Sequence, residues 1–213
     1  MEDLFKDRRL ILAPMAGVTD EVFRELCIEA GAQLTYTEMV SAKALSYGSG
    51  KTRDLLVLAP SEKQVALQIF GHEPETMAQE AYELEQMLGH AVFSFDVNMG
   101  CPARKIAGKG DGAALMRDPL LASRIVEAMA NKVEHPVTVK MRRGFAFGEE
   151  TAPELAHICL LYTSRSASSR CSWHRSCLPL QMRSSIAWVW EMSLISPTSK
   201  RPVLGDSLRL VFR

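Results

Sequence analysis

Short apolar runs alternate with stretches of helical periodicity through the first 159 residues. The first run, Leu10 to Ala13, stops at Pro14. A helix is predicted to follow, because Thr19 and Asp20 are good N-caps, Val22, Leu26 and Ala30 recur at a spacing of four, and Gly31 ends the pattern. A second run, Leu34 to Glu38, leads into a helical or irregular stretch. The third, Val65 to Phe70, ends at Gly71, and Pro74 opens a helix whose Met77, Ala81, Leu84 and Leu88 share one face. The fourth, Val92 to Val97, runs into a Gly-rich loop. Asp118-Pro119 then supplies an N-cap with proline at the first helical position, and Leu121, Ile125 and Ala128 form the expected buried stripe. Val137 to Met141 is the fifth run. Five strand-then-helix units in succession predict a parallel α/β sheet or barrel, because parallel strands need crossover helices.

From about residue 160 this pattern stops. Residues 160–213 hold 12 of the 18 serines and all three tryptophans. The formal net charge of zero, 25 basic against 25 acidic side chains, excludes a uniformly basic nucleic-acid coat but hides an asymmetry: 17 basic and 23 acidic residues precede position 160, and 8 and 2 follow it. A Ser/Arg-rich RNA-binding tail is one reading of the last segment, but such tails are poor in Trp, Leu and Ile. The preferred reading is a break in the reading frame or gene assembly near Leu160, where LLYTSRSAS resembles translated sequencing-adapter sequence. The expected division is therefore 1–159, a partial barrel domain, and 160–213, an unassigned tail that does not look native. At 47% apolar the chain is globular, with length for one domain or one and a half. The start MEDLFKDRRL lacks the apolar stretch of a secretory signal, and no run approaches the roughly 20 apolar residues that cross a bilayer, so the expected location is the cytoplasm. Five irregularly spaced cysteines, neither a disulfide framework nor a zinc ribbon, fit a reducing compartment.

The chemistry-bearing signals fall at strand ends. Asn98-Met99-Gly100-Cys101-Pro102 closes the fourth run, and in parallel α/β folds ligands sit at the carboxyl ends of strands. A free cysteine titrates near ~8.5, so at neutral pH it is mostly a thiol and can donate a proton without special tuning. A lone cysteine is more often a small buried hydrophobe, but Gly and Pro after a strand impose a specific exposed turn here. Pro14-Met15-Ala16-Gly17 follows the first run; Gly17 permits close approach of the backbone to a flat ligand, and Met15 offers a polarizable surface for an aromatic ring. Gln68 and Lys140 end two further strands, where an amide can hydrogen-bond a ring edge and a lysine can hold negative charge on a reduced ring system. Arg104, Lys105, Lys109, Arg142 and Arg143 are candidates for a basic rim, though charge runs are usually just exposed faces. Gly108, Gly110 and Gly112 do not make a dinucleotide fingerprint and are read as a mobile active-site loop. His157, Cys159, Cys171, His174 and Cys177 lack standard zinc spacing, so no metal site is expected.

The motifs LAPMAGVTD, TEMVSAKAL, LQIFG, DVNMGCP and VKMRRG stand in the order seen in the flavin-dependent tRNA-dihydrouridine synthases, and over residues 10 to about 159 the chain resembles their bacterial members. That resemblance implies a (β/α)₈ TIM barrel holding FMN at its carboxyl face, followed by a small helical domain that grips tRNA. It implies an enzyme, monomeric in its parent form, that reduces uridine in tRNA to 5,6-dihydrouridine with NADPH as the electron source. Carried over by motif, Pro14, Met15 and Ala16 would line the flavin, Gln68 and Lys140 would hydrogen-bond its ring system, Cys101 would be the proton donor, and Asn98 would sit beside the flipped uracil; Arg142 of the basic rim would join Asn98 in binding the RNA substrate. The family's His-Gly-Arg segment and its later Gly-rich phosphate motifs are missing, and His157, in the helix-like APELAHI, is not that histidine. A barrel of this kind takes about 250 residues. Only five of its eight βα units are legible, so the barrel is expected to be incomplete and this chain by itself inactive. Another FMN barrel oxidoreductase, of the dihydroorotate dehydrogenase type, and a non-catalytic RNA-binding fragment are the alternatives; PMAGVTD and EMVSAKAL argue against the first.

Overall fold

A computed structural model describes residues 4–5, 8–166 and 207–212, with side chains up to residue 160. The first predicted strand is reduced to a single parallel bridge, Ile11 to Leu34. It has one neighbour, held by Leu12 N–H to Leu34 O (2.9 Å) and Gln33 N–H to Leu10 O (2.8 Å), and Pro14 ends it by removing a donor. Helix α1 (Glu21–Glu29) begins where expected, with the Asp20 carboxylate accepting from the Phe23 N–H at 2.8 Å. Its apolar repeat faces outward: Val22 and Leu26 are 62% and 57% exposed, and the buried residue of α1 is Arg24.

The second run forms two short strands, β1 (Thr35–Tyr36) and β2 (Val40–Ser41), followed by helices α2 (Ala42–Ser46) and α3 (Gly50–Asp54). The third gives β3 (Val65–Phe70) and, after Pro74, α4 (Pro74–Leu88) with Met77, Ala81 and Leu84 buried as predicted. β4 (Val92–Met99) extends two residues beyond the expected end and is buried throughout. Instead of an open glycine loop, a helical turn α5 (Arg104–Ala107) and a 3₁₀ segment (Gly112–Arg117) follow it. Helix α6 (Pro119–Lys132) is capped by Asp118 onto the Leu121 N–H at 2.9 Å. Its buried face is Ala122, Ser123, Ile125, Val126 and Met129, so of the predicted stripe Ile125 is buried while Leu121 and Ala128 are half-buried at its edge, because α6 packs against α4 and α7. β5 (Val137–Arg142) and α7 (Ala152–Ser166) follow, and α7 runs through position 160 without a break in the backbone helix.

Strands join in chain order. β1 and β2 pair with β3, β3 with β4, and β4 with β5, all parallel. The crossover helices α4, α6 and α7 pack against one another in succession, so they cover one face of the sheet. A doubly wound sheet would reverse its strand order and carry helices on both faces; sequential order with helices on one face is the geometry of a (β/α) barrel, here incomplete. Beyond β5 the sheet departs from barrel geometry, because β6 (Ser207–Phe212) pairs antiparallel, Val137 opposite Phe212.

The two faces carry different chemistry. From Val65, Phe95 and Val137 onward the odd-numbered residues of β3, β4 and β5, such as Leu67, Val97 and Val139, join the helices in the main core, while Leu34, Tyr36, Ala66, Phe5 and Phe93 form a second cluster that plugs the amino-terminal end. Between the Glu85 carboxylate on α4 and the loop entering β5, the His135 ring Nδ1 (2.6 Å) and the backbone N–H groups of Glu134 and His135 (both 2.9 Å) converge. Burial pushes the Glu85 carboxyl up, but these donors more than offset it and hold the acid below its usual value. A carboxyl with a lowered folded pKa stabilises the fold above its unfolded pKa of about 4.3 and loses that contribution as pH falls through the folded value. Glu85→Gln is therefore expected to lower the urea midpoint at pH 7 and to approach wild type as pH falls from about 4.3 through the lowered folded value. A constant difference between the two proteins across that range would reject the role.

Candidate active site

Along β4 the side chains of Phe95, Val97 and Met99 belong to the main core, and the alternate residues Asp96 and Asn98 carry the polar bonds. Gln68 of β3, Asp96 of β4 and Thr138 of β5 stand in register across three strands, and Asn98 is in register with Lys140. Strand alternation therefore lines the concave face of the barrel with polar groups, where most parallel strands are apolar on both sides.

A directed chain of hydrogen bonds follows from that register. Asp96, fully buried, accepts from the Thr138 hydroxyl at 2.5 Å and from Gln68 Nε2 at 2.7 Å. A carboxylate only accepts, so the Gln68 amide must turn its nitrogen to Asp96 and its oxygen outward. That oxygen accepts from Asn98 Nδ2 at 2.8 Å. The Asn98 oxygen is then left to accept from the Gly100 N–H (3.2 Å) and the Cys101 N–H (2.9 Å), an Asx-type turn that bends the chain after β4. The sequence Asn-Met-Gly-Cys thus has a physical reading: the Asn side chain caps the strand and presents Cys101, which is half-buried, at its carboxyl end.

The other predicted residues arrive by separate routes. Pro14 is buried, Met15 half-buried and Ala16 exposed, in a turn that Thr19 closes through its hydroxyl and N–H to the Met15 carbonyl (3.1 and 3.0 Å). Gly17, at φ 75°, donates its N–H to the Glu38 carboxylate, and the next residue, Met39, brings its sulfur to 3.6 Å from Asn98 Nδ2. Glu38 and Met39 therefore tie the Pro14–Gly17 turn to the strand-end array. Arg142 packs its stem over Gly100, where a Cβ would lie 3.6 Å from Arg142 Cγ. Lys140 is half-buried on the strand beside Asn98. Of the basic rim, Arg104, Lys105 and Lys109 are exposed, and Arg143 pairs with Glu150 at 3.1 Å. Lys105 and Lys109, with Lys43, Tyr47 and His72, line a cleft of about 850 Å³ beside the array.

Asp96, Thr138 and Glu38 were not singled out from the sequence. The alternation in VFSFDVNM and VTVKMR could have found the first two, since it places Asp and Thr on the face that carries Gln68 and Asn98. Glu38 lies inside TEMVSAKAL with no local pattern to mark its bond to Gly17. Of the weak zinc set, His157 is exposed and Cys159 buried on α7, and burial pushes the Cys159 thiol up to about 12. Cys171, His174 and Cys177 lie outside the described residues. Among the described residues no helix is long and apolar enough to cross a membrane.

Fold and array together define an incomplete parallel (β/α) barrel, with its polar groups and a thiol gathered at the strand ends. The model of the dihydrouridine synthase (Dus) family matches residues 11–160, and the chain belongs to that family. It is 39% identical over 150 residues to tRNA-dihydrouridine synthase B of Shewanella oneidensis, covering 70% of this chain and 46% of the relative. Against tRNA-dihydrouridine synthase B of Pseudomonas aeruginosa it is 42% identical over 137 residues, 64% of this chain and 40% of the relative. A probable tRNA-dihydrouridine synthase of Rickettsia conorii is 40% identical over 150 residues, 70% of this chain and 44% of the relative. The chain spans less than half the length of the curated relatives it matches.

Proposed function

We propose that residues 1–159 form the amino-terminal part of an FMN-dependent tRNA-dihydrouridine synthase, a cytoplasmic and monomeric enzyme that reduces uridine in tRNA to 5,6-dihydrouridine with NADPH. The observation that carries this reading is the Asp96–Gln68–Asn98 chain, which ends on the Cys101 turn beside Lys140. The donor set suits a flat ring with polar edges: Gln68 keeps a second amide hydrogen and lone pair beyond the bonds above, Lys140 can answer negative charge on the ring, and Met15 offers a polarizable surface. Bound there, FMN reduced by NADPH would supply the hydride equivalent for carbon 6 of the uracil. Cys101 gives its thiol proton to carbon 5, so two electrons and two protons enter the base, and the thiolate is reprotonated from water. Asn98 sits beside the extruded base, and Arg142 together with the exposed Arg104, Lys105 and Lys109 meets the RNA, whose phosphate charge dominates affinity.

Residues 160–213 are read as a separate, non-native segment, in keeping with the end of the family match at residue 160. The chain by itself is then without the later phosphate-binding loops and inactive, and the test uses a full-length protein carrying residues 1–159. That protein is expected to form dihydrouridine on bulk tRNA lacking it and to leave free dihydroorotate unoxidised; the reverse pattern would assign the barrel to the other flavin class. In the same protein, Gln68→Ala and Lys140→Ala are each expected to weaken FMN binding by roughly tenfold or more, the scale of one hydrogen bond involving a charged group. Absorption in the flavin bands after purification measures this, and full yellow colour in both variants would return these residues to structural roles.

A further inference from the structure

His72 and Asp111 have no part in the chemistry above. His72 follows Gly71 at the carboxyl end of β3, with a side chain 37% exposed on the wall of the 850 Å³ cleft. Its Nδ1 lies 2.7 Å from Oδ1 of Asp111, which is buried at 8% exposure. Facing a carboxylate, Nδ1 must carry the hydrogen. The neighbours of Asp111 show what the bond holds. Gly110, at φ 93°, lays its backbone against the imidazole, where a Cβ would stand 3.7 Å from the ring carbon Cγ. Gly112, at φ 58°, is pressed under Cys101: a Cβ there would lie 2.8 Å from the Cys101 carbonyl oxygen and 3.1 Å from its Cβ. The Ala113 N–H donates to that same carbonyl at 3.0 Å.

The Cys101 turn thus has two clamps. Asn98 holds its N–H from within β4, and the Gly110–Ala113 segment holds its carbonyl from the other side. Within the segment the Gly108, Gly110 and Asp111 N–H groups bond back to the carbonyls of Arg104, Ala107 and Ile106, and Leu115 and Met116 of the 3₁₀ segment are buried in the core; His72, on a different strand from the cysteine, adds a side-chain bond that reaches Asp111 from outside.

We propose that His72 is a positioning residue: by holding Asp111 it seats the Gly110–Ala113 segment on the Cys101 carbonyl and fixes where the Cys101 thiol stands. The use of the thiol rests on the proposed function; its placement does not. The test is the alkylation rate of each cysteine in the 213-residue chain by iodoacetamide, resolved by peptide mass spectrometry, with half-buried Cys27 and buried Cys159 as internal references. His72→Ala is expected to raise the Cys101 rate at least about threefold, the scale of one lost hydrogen bond, with the references unchanged. His72→Asn, whose amide nitrogen can stand where Nδ1 does, is expected to restore the wild-type rate. Asp111→Ala should match His72→Ala, and the double variant should add nothing, because the two side chains act as one unit. An unchanged Cys101 rate, failure of the Asn variant to restore it, or a parallel rise of all three cysteines would overturn the proposal; the last would make His72 a support of the whole fold. Alkylation needs neither flavin nor RNA, so this pattern in the 213-residue chain, together with failure of the full-length protein carrying residues 1–159 to reduce uridine, would overturn the proposed function alone.

Discussion

Cys101→Ala, in a full-length protein carrying residues 1–159, is expected to keep bound flavin and NADPH oxidation while uridine reduction falls by about 10² to 10⁴, the usual cost of removing a general acid. The geometry makes this a clean substitution. The turn after β4 is held by the Cys101 N–H on Asn98 and by the Cys101 carbonyl under Ala113, both backbone groups, so removing the thiol leaves the turn in place. Cys101→Ser is expected to group with alanine, since an alcohol is a far weaker acid than a thiol. Dihydrouridine formed per unit time on unmodified tRNA, against NADPH consumed without tRNA, separates the two half-reactions. An undiminished rate in Cys101→Ala would remove the thiol from the mechanism.

The second large effect is on stability, at a place with no direct role in the chemistry. Arg24 is 1% exposed, and its guanidinium reaches four acceptors: Glu62 through Nε (2.9 Å) and Nη2 (3.0 Å), the Thr19 carbonyl (2.9 Å) and the Val57 carbonyl (2.5 Å). Glu62 in turn accepts from the Ala59 N–H at 3.0 Å and from the Thr35 hydroxyl. Arg24→Ala leaves this carboxylate buried without its countercharge and is expected to cost about 3 to 5 kcal/mol of unfolding free energy. Arg24→Lys should recover only part of it, because an ammonium cannot span four acceptors in a planar fork. Paired replacement by apolar residues is expected to remain destabilising as well, since two backbone carbonyls, an N–H and a hydroxyl would lose their partners. Urea unfolding at pH 7 measures each variant, and a loss below about 1 kcal/mol in Arg24→Ala would place the pair among weak surface bridges.

The same cluster explains why the apolar repeat of α1 faces outward. Val22, Leu26 and Ala30 recur at helical spacing, and that pattern identifies an apolar face without identifying a neighbour for it. Among the described residues nothing covers that face, and the helix is docked instead through a charged side chain whose partner lies 38 positions away. In α4 the same kind of pattern succeeded because β3 and α6 lie against the apolar face. The interior array was half legible. Gln68, Asn98, Cys101 and Lys140 could be placed at strand ends from their position after apolar runs, but the bonds between them required the register of three strands.

What the sequence by itself determined is local: where β3, β4 and β5 begin, the caps at Asp20 and Asp118, the proline starts of α4 and α6, and the strand-end places of the polar residues. Each depends on neighbours within a few positions, where backbone sterics and capping hydrogen bonds act. The tertiary structure alone decided the Arg24–Glu62 cluster, the orientation of the Gln68 and Asn98 amides by Asp96, the bond of Glu38 to Gly17, and the hold of His72 on Asp111 across 39 positions. Those are contacts between polar groups whose meeting is set by strand register and crossover geometry. A hydrogen bond leaves no periodic trace in the sequence, because its free energy depends on a partner that only the folded chain brings within reach.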